Sequence, residues 1–219
     1  MHAMKKTDKP GQRTILNSDR MVTLINLSGR QRMLSQRIVL NLVMSTHHPE
    51  ALAQAKEALA LFSQTHALLV KGNHEYPGVY FEALEKVLFG PEDNEAKIRQ
   101  FIQNCQQAIT ACESNEGLPA AMIPLLGEEA NLIVAVLNQI TVTYENESKH
   151  CELLRRKKQE NLMSSIQKIA KEAKIVSFNA QVIAARSGDA GKEFAVVASV
   201  MTDITNEIEQ LVAAAMTTT

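Results

Sequence analysis

The placement of chain breakers constrains this sequence more than any other feature. Its nine glycines and six prolines are spread over 219 residues, and most fall at a few places. These are Pro49, Gly72, Pro77-Gly78, Gly90-Pro91, the stretch from Gly117 to Pro124, and Gly188 with Gly191. Between them run long segments with nothing strong enough to stop a helix, the last from about Pro124 to Gly188. A sheet protein needs frequent turn signals and runs of β-branched and aromatic residues. Here aromatics are 4% of the chain and Trp is absent, while the 45% apolar content is mostly Ala, Leu, Ile, Val and Met. The fold class expected is all-α, with an aliphatic core.

The breakers divide the chain into elements. Residues 1–14 read as a disordered tail. A helix is expected from about Ile15 to Ser45, ended by His47-His48-Pro49-Glu50, because a residue before Pro avoids the helical region. A second runs from Pro49, well placed in a first turn, to Lys71, where Gly72 and Asn73 stop it. A short helix sits between the turns from His74 to Asn94. A third long helix covers about Glu95 to Ser114, and a fourth starts near Pro124. Four helices with short connections make a bundle over residues 15–145. The charged stretch that follows keeps helical spacing through Cys151 and Leu154 and reads as a stalk over 146–163. Residues 164–219 hold two heptad arms, Ile166, Ile169, Ala173, Val176, Ala180, Ile183 and Val197, Met201, Ile204, Ile208, Leu211, Ala215, around Ser187–Lys192. Two such arms about a Gly-containing turn predict an antiparallel coiled-coil hairpin, each burying its seam against the other.

Bulk properties exclude several functions. A net charge of −1 gives no field for nucleic acid or anionic lipid. No stacking aromatics lie beside a basic stripe, which argues against single-strand binding. The cysteines Cys105, Cys112 and Cys151 fit no zinc spacing and read as reduced thiols. His47-His48 has only Glu50 nearby at ligand spacing and reads as a loop rather than a metal site. No nucleophile–base pair, P-loop or dinucleotide fingerprint is present. The inward Glu and Glu-x-x-His set of a di-iron bundle is also missing. An enzyme is not expected, nor a cofactor. No stretch comes near ~20 consecutive apolar residues, and the N-terminus lacks an apolar signal core. The expectation is a cytoplasmic protein with no membrane span and an intracellular ligand.

The first helix carries the chemistry. At about 100° per residue, Leu24, Leu27, Gln31, Leu34, Ile38 and Leu42 form one stripe, which must face the bundle core. Met21, Ile25, Gly29, Arg32, Gln36, Val39 and Val43 form a second, and a second stripe needs a second partner. Gly29 inside a helix costs ~1 kcal/mol relative to Ala, which makes sense where another backbone comes close. Arg32 and Gln36 sit among apolar neighbours, and no Asp or Glu occurs between Arg20 and Ser45. A planar guanidinium fork suits a planar oxyanion, and an anion shared by two copies of the helix would satisfy it. The alternative is that Arg30, Arg32 and Arg37 are solvated, or pair with carboxylates of another helix.

The run Ile25-Asn26-Leu27-Ser28-Gly29-Arg30-Gln31-Arg32-Met33-Leu34-Ser35-Gln36-Arg37 resembles the opening helix of the PilJ-type domain, the N-terminal domain of type IV pilus chemotaxis transducers. Related four-helix domains occur in nitrate/nitrite sensor kinases and nitrate chemoreceptors. The resemblance implies a homodimer holding a small anion, typically nitrate, between two copies of helix one. It places the family's anion-binding Arg on Arg32 and its Gly on Gly29, and Gln36 lies in the same stripe.

A second resemblance covers about residues 164–211. Ile169-Ala170, Asn179-Ala180 and the run from Ala184 through Arg186, Asp189, Lys192, Phe194 and Val196 to Ala198 are similar to the signalling tip of methyl-accepting chemotaxis proteins. That resemblance implies a signalling tip of Asn179, Arg186, Asp189, Lys192, Phe194 and Val196, with a chemotaxis histidine kinase and its adaptor as partners. The chain departs from the pattern at Lys171, Ile183 and Glu193, on the surface that would join dimers into larger arrays. Its arms are also too short to hold the methylation segments. The chain is therefore expected to be an anion sensor built on a shortened signalling hairpin. The rival reading is an adaptor or regulator that binds no small ligand and acts on a chemotaxis-type or sensor kinase.

Overall fold

The computed structural model describes residues 18–114 and 117–217. The expected tail at residues 1–14 and the first residues of helix one lie outside them. The described residues are all-α: α1 (Ser18–Met44), α2 (Glu50–Lys71), α3 (Glu82–Phe89), α4 (Asn94–Glu113), α5 (Met122–Arg186) and α6 (Lys192–Thr217), with one 3-10 turn at Gly188–Gly191. They fall into two units, Met1–His150 and Cys151–Thr219, with α5 contributing to both.

In the first unit, the breakers act as their chemistry requires. Pro49 stands at the N-cap of α2, and Gly72 ends that helix at φ +72°. Asn73 Oδ1 accepts the backbone N–H groups of Glu75 and Tyr76 at 2.8 Å each. This Asx turn reverses the chain between two left-handed glycines, Gly72 and Gly78. Phe81 leads into α3, and Asp93 caps α4 by accepting from Ala96 N at 3.4 Å. One aliphatic and aromatic core joins α1, α2, α3, α4 and the start of α5. Leu24, Ile38, Phe62, Leu84, Ile98, Phe101, Leu126, Leu137 and Tyr144 are buried in it. Phe62 meets Phe101 edge to face, and Phe81 meets Tyr144 in the same way. Burial pushes the thiol of Cys105 up to about 12, with Glu129 adding to the effect, so it behaves as a packing group. α5 holds one stretch long and apolar enough to cross a membrane by length and composition. Leu126, Ile133, Leu137 and Ile140 of this helix are core residues of the first unit.

His66 on α2 carries a charge-sensitive contact. It is buried, with Nε2 3.9 Å from Glu95 Oε1 of α4, and Glu95 is in turn paired with Arg99. Burial lowers the His66 pKa below the 6.5 of a free imidazole. Glu95 pulls it up and Arg99 pushes it down, and both act from α4. The folded state thus binds the proton less readily than the unfolded chain, and stability should fall as pH drops below 6.5. Melting temperatures of the wild type and His66→Gln measured from pH 7.5 to 5 should diverge. The wild type should lose stability below pH 6.5, and the variant should lack that limb.

The second unit is an antiparallel hairpin, but its seam is not the expected one. Ala170, Ser177 and Ala184 on α5, then Gly191, then Ala198, Thr205 and Val212 on α6 are its buried residues, spaced seven apart throughout. Of the residues expected in the seam, Ile166, Ala173, Ala180, Ile208 and Ala215 are half-buried beside it, and the others are open. Ile169, Val176 and Ile183 are 64%, 60% and 64% exposed, and Val197, Ile204 and Leu211 are 57%, 51% and 63% exposed. Small side chains let the two helices approach closely, so the contact runs one residue later than the bulky heptad. On one flank a polar ladder crosses the arms: Gln167 with Met216, Lys174 with Asn206 and Glu209, Gln181 with Thr202. The bulky row takes the other flank. It precedes the buried row by one residue on both arms, and an equal offset on two antiparallel helices brings both bulky rows to the same face.

Gly191 closes the hairpin. A Cβ there would stand 2.1 Å from Ala184 O, a backbone atom that cannot give way alone. Gly191→Ala is expected to destabilise the hairpin by about 1–3 kcal/mol, the usual cost of overpacking. Faster amide exchange in α6 with unchanged exchange in α2 and α4 would register it.

Candidate functional site

The expected core stripe of α1 is where the sequence placed it: Leu24, Gln31, Leu34, Ile38 and Leu42 are buried, and Leu27 is half-buried. Gln31 is fully buried and donates from Nε2 to Phe62 O at 3.0 Å, leaving Oε1 without a partner. The second stripe needs correction. Met21 and Val39, assigned to it, are 3% and 9% exposed and belong to the core of their own chain. The row that stays open runs Val22, Asn26, Met33, Gln36 and Leu40, with Gly29 half-buried among them. Val22, Met33 and Leu40 are 51%, 57% and 59% exposed. A 100° wheel drawn on an isolated helix could not separate the two rows. Both lie beside the core stripe, and which one α5 covers depends on the neighbouring helix.

Polar contacts join α1 to α5. Ser28 Oγ lies 3.2 Å from Thr141 Oγ1 in a buried position. Arg32 donates from Nη1 to Asn138 Oδ1 at 2.7 Å, and Gln36 Nε2 reaches Ala130 O at 3.5 Å. Arg32 also folds back along its own helix, with Nε 3.4 Å from Gly29 O. A Cβ on Gly29 would meet Arg32 Nη2 at 3.4 Å. The glycine thus leaves room for the guanidinium. Within this chain the neighbour at Gly29 is the Arg32 side chain, whereas the sequence suggested a second backbone.

The electrostatics of Arg32 set it apart. It is half-buried, and among the described residues it forms no salt bridge. Its acceptors, Gly29 O and Asn138 Oδ1, are both neutral. A guanidinium carries five N–H groups. Two are directed at these acceptors, and the rest, including both on Nη2, have no acceptor in the chain among the described residues. Arg30 and Arg37 are exposed. The arrangement holds a positive fork in place without neutralising it, which is the requirement for taking up an anion.

Sequence reasoning placed Arg32, Gly29 and Gln36 together; in the structure Arg32 and Gln36 reach α5, and Gly29 adjoins the Arg32 side chain. It missed Asn138. An Asn at the end of the apolar run Leu132–Leu137 gives no signal until α1 is laid beside it.

In the second unit the tip residues lie in the open. Asn179, Arg186, Asp189 and Lys192 are exposed, and Lys192 Nζ pairs with Asp189 Oδ1 at 2.7 Å. Phe194 and Val196 are 69% and 64% exposed. Lys171, Ile183 and Glu193 are exposed as well. Among the described residues no cluster of His, Cys, Asp and Glu could hold a metal. The imidazole of His48 faces Glu50 at 3.6 Å on the surface.

Comparison with curated proteins and with solved structures finds no match to the chain. Residues 15–80 match the family model PilJ, described as the type IV pili methyl-accepting chemotaxis transducer N-terminal domain. The matched stretch takes in Gly29, Arg32 and Gln36 and stops before α4, α5 and the hairpin.

Proposed function

We propose that this chain is a cytoplasmic sensory transducer of the chemotaxis type, without enzyme activity. It binds a small planar anion, nitrate foremost, between the α1 helices of a homodimer. The observation that carries the reading is the Arg32 guanidinium, oriented by two neutral acceptors and paired with no carboxylate among the described residues. Two such forks, one from each protomer, would repel without an anion between them, so ligand and dimer stabilise each other. The open row Val22, Met33, Leu40 offers the second copy an apolar seam around this point. The match of residues 15–80 to a chemotaxis transducer domain supports the same reading. α5 touches Arg32 through Asn138 and continues unbroken to Arg186. It would carry occupancy towards a hairpin whose tip engages a histidine kinase and its adaptor. Such relay requires the anion to favour one of two arrangements of α1 against α5. Thermal melting with and without nitrate, on the wild type and Arg32 variants, tests the reading.

One observation favours a second reading. The hairpin leaves Phe178, Val182, Val196 and Val200 open as well as its bulky row, at 63%, 36%, 64% and 52% exposure. Exposed apolar side chains in this number suit an adaptor that works by protein contact alone. If no anion shifts the wild-type melting temperature, this reading replaces the first.

A further inference from the structure

Asn138 is the point at which the helix that leaves the first unit meets the charged side chain of Arg32. Its Oδ1 accepts from Arg32 Nη1 at 2.7 Å, across 106 residues of sequence. The contacts on either side, Ser28 with Thr141 and Gln36 with Ala130 O, are between neutral groups. A neutral acceptor at this place orients the guanidinium while leaving its charge intact. A carboxylate of the same shape would satisfy and neutralise it.

We propose that Asn138 is the positioning residue that holds Arg32 ready for the anion and reports its occupancy to α5. This rests on the anion reading of Arg32. The fork reaches its ligand with the N–H groups that Asn138 and Gly29 leave over, on the side opened by the missing Cβ of Gly29. An anion drawing the guanidinium outward lengthens the 2.7 Å bond, and the partner that loses contact is a side chain of α5. Binding at α1 therefore changes a hydrogen bond on α5 without any rearrangement of the core.

The test uses the full chain, nitrate as probe, and the variants Asn138→Asp and Asn138→Ala. Asp keeps the acceptor and adds a charge that pairs with Arg32. The nitrate-free Asp variant should melt at or above the wild-type temperature, yet bind nitrate on the order of tenfold or more weakly by calorimetry, a loss of about 1.4 kcal/mol. Ala removes the acceptor without neutralising the fork, and should bind severalfold more weakly than the wild type. A merely structural role would reverse this order, because Asp preserves the contact and Ala destroys it. Wild-type affinity in either variant overturns the assignment of Asn138 and leaves the anion reading standing. A wild type that binds no nitrate overturns both.

Discussion

Nitrate at a hundredfold excess over its dissociation constant is expected to raise the melting temperature of the wild-type chain by about 5–10 °C, and Arg32→Ala should lose the whole of that shift. The size follows from linkage. A ligand that binds only the folded form stabilises it by about 2.7 kcal/mol at that excess, and a chain of this size gains ~2–4 °C per kcal/mol. The complete loss follows from symmetry, since one substitution removes the fork from both protomers of the proposed dimer. Arg32→Lys should keep only a small part of the shift, because an ammonium cannot offer two parallel N–H groups to a planar anion. Arg30→Ala is the control. Its side chain is exposed, and its removal should leave the response to nitrate unchanged. A shift of equal size in Arg32→Ala and the wild type would show that nitrate binds elsewhere.

The two parts of the molecule were legible in the sequence to different depths. Helix limits followed from Pro49, Gly72, Gly90-Pro91 and Gly188, because a breaker acts on the few residues around it, whatever the tertiary context. The core stripe of α1 was equally readable, since burial of Leu24, Leu34, Ile38 and Leu42 requires only that some partner cover one side of the helix. The second row on α1 was not. Met21 and Val22 are adjacent in sequence, and only the position of α5 and its neighbours decides that Met21 is buried while Val22 is 51% exposed. The hairpin was legible, but its closest contact was not, for a related reason. A heptad pattern ranks positions by bulk, so Ile169, Val176 and Ile183 stood out. The true contact uses Ala170, Ser177 and Ala184, whose small size is what permits it and what hides it from a hydrophobicity reading. At the candidate site, Arg32 was visible as a lone cation lacking a local acid. Asn138 was not visible, because its role exists only through a hydrogen bond between residues 106 apart.

The displaced heptad leads to the largest expected effect on assembly. Placing Asp at Val176 and Ile204 should raise the dimer dissociation constant by about a hundredfold or more. In a single hairpin these side chains are 60% and 51% exposed, so a charge there costs the isolated protomer little, typically within ~0.5 kcal/mol. Ile169, Val176, Ile183, Val197, Ile204 and Leu211 form a face that no other part of the described hairpin covers. Fully burying one side chain of this size contributes ~1.5–3 kcal/mol. These residues are already partly covered, so about 1 kcal/mol each is the fairer figure. Summed over both protomers, that is enough to offset the cost of association, about 4–15 kcal/mol, and the α1 seam adds to it. Two substitutions per protomer place four like charges in a seam that would otherwise be dry, and a buried charge without a partner is not tolerated. Sedimentation velocity should show the wild type at twice the 24.2 kDa of one chain, with the variant shifting towards the single-chain mass at the same concentration and helical content. Phe178→Asp, about 160° round α5 from Val176 and 63% exposed, should leave the dimer intact. If it dissociates the protein as well as the double substitution does, the second copy lies against the flank that carries the polar ladder of Gln167, Lys174 and Gln181.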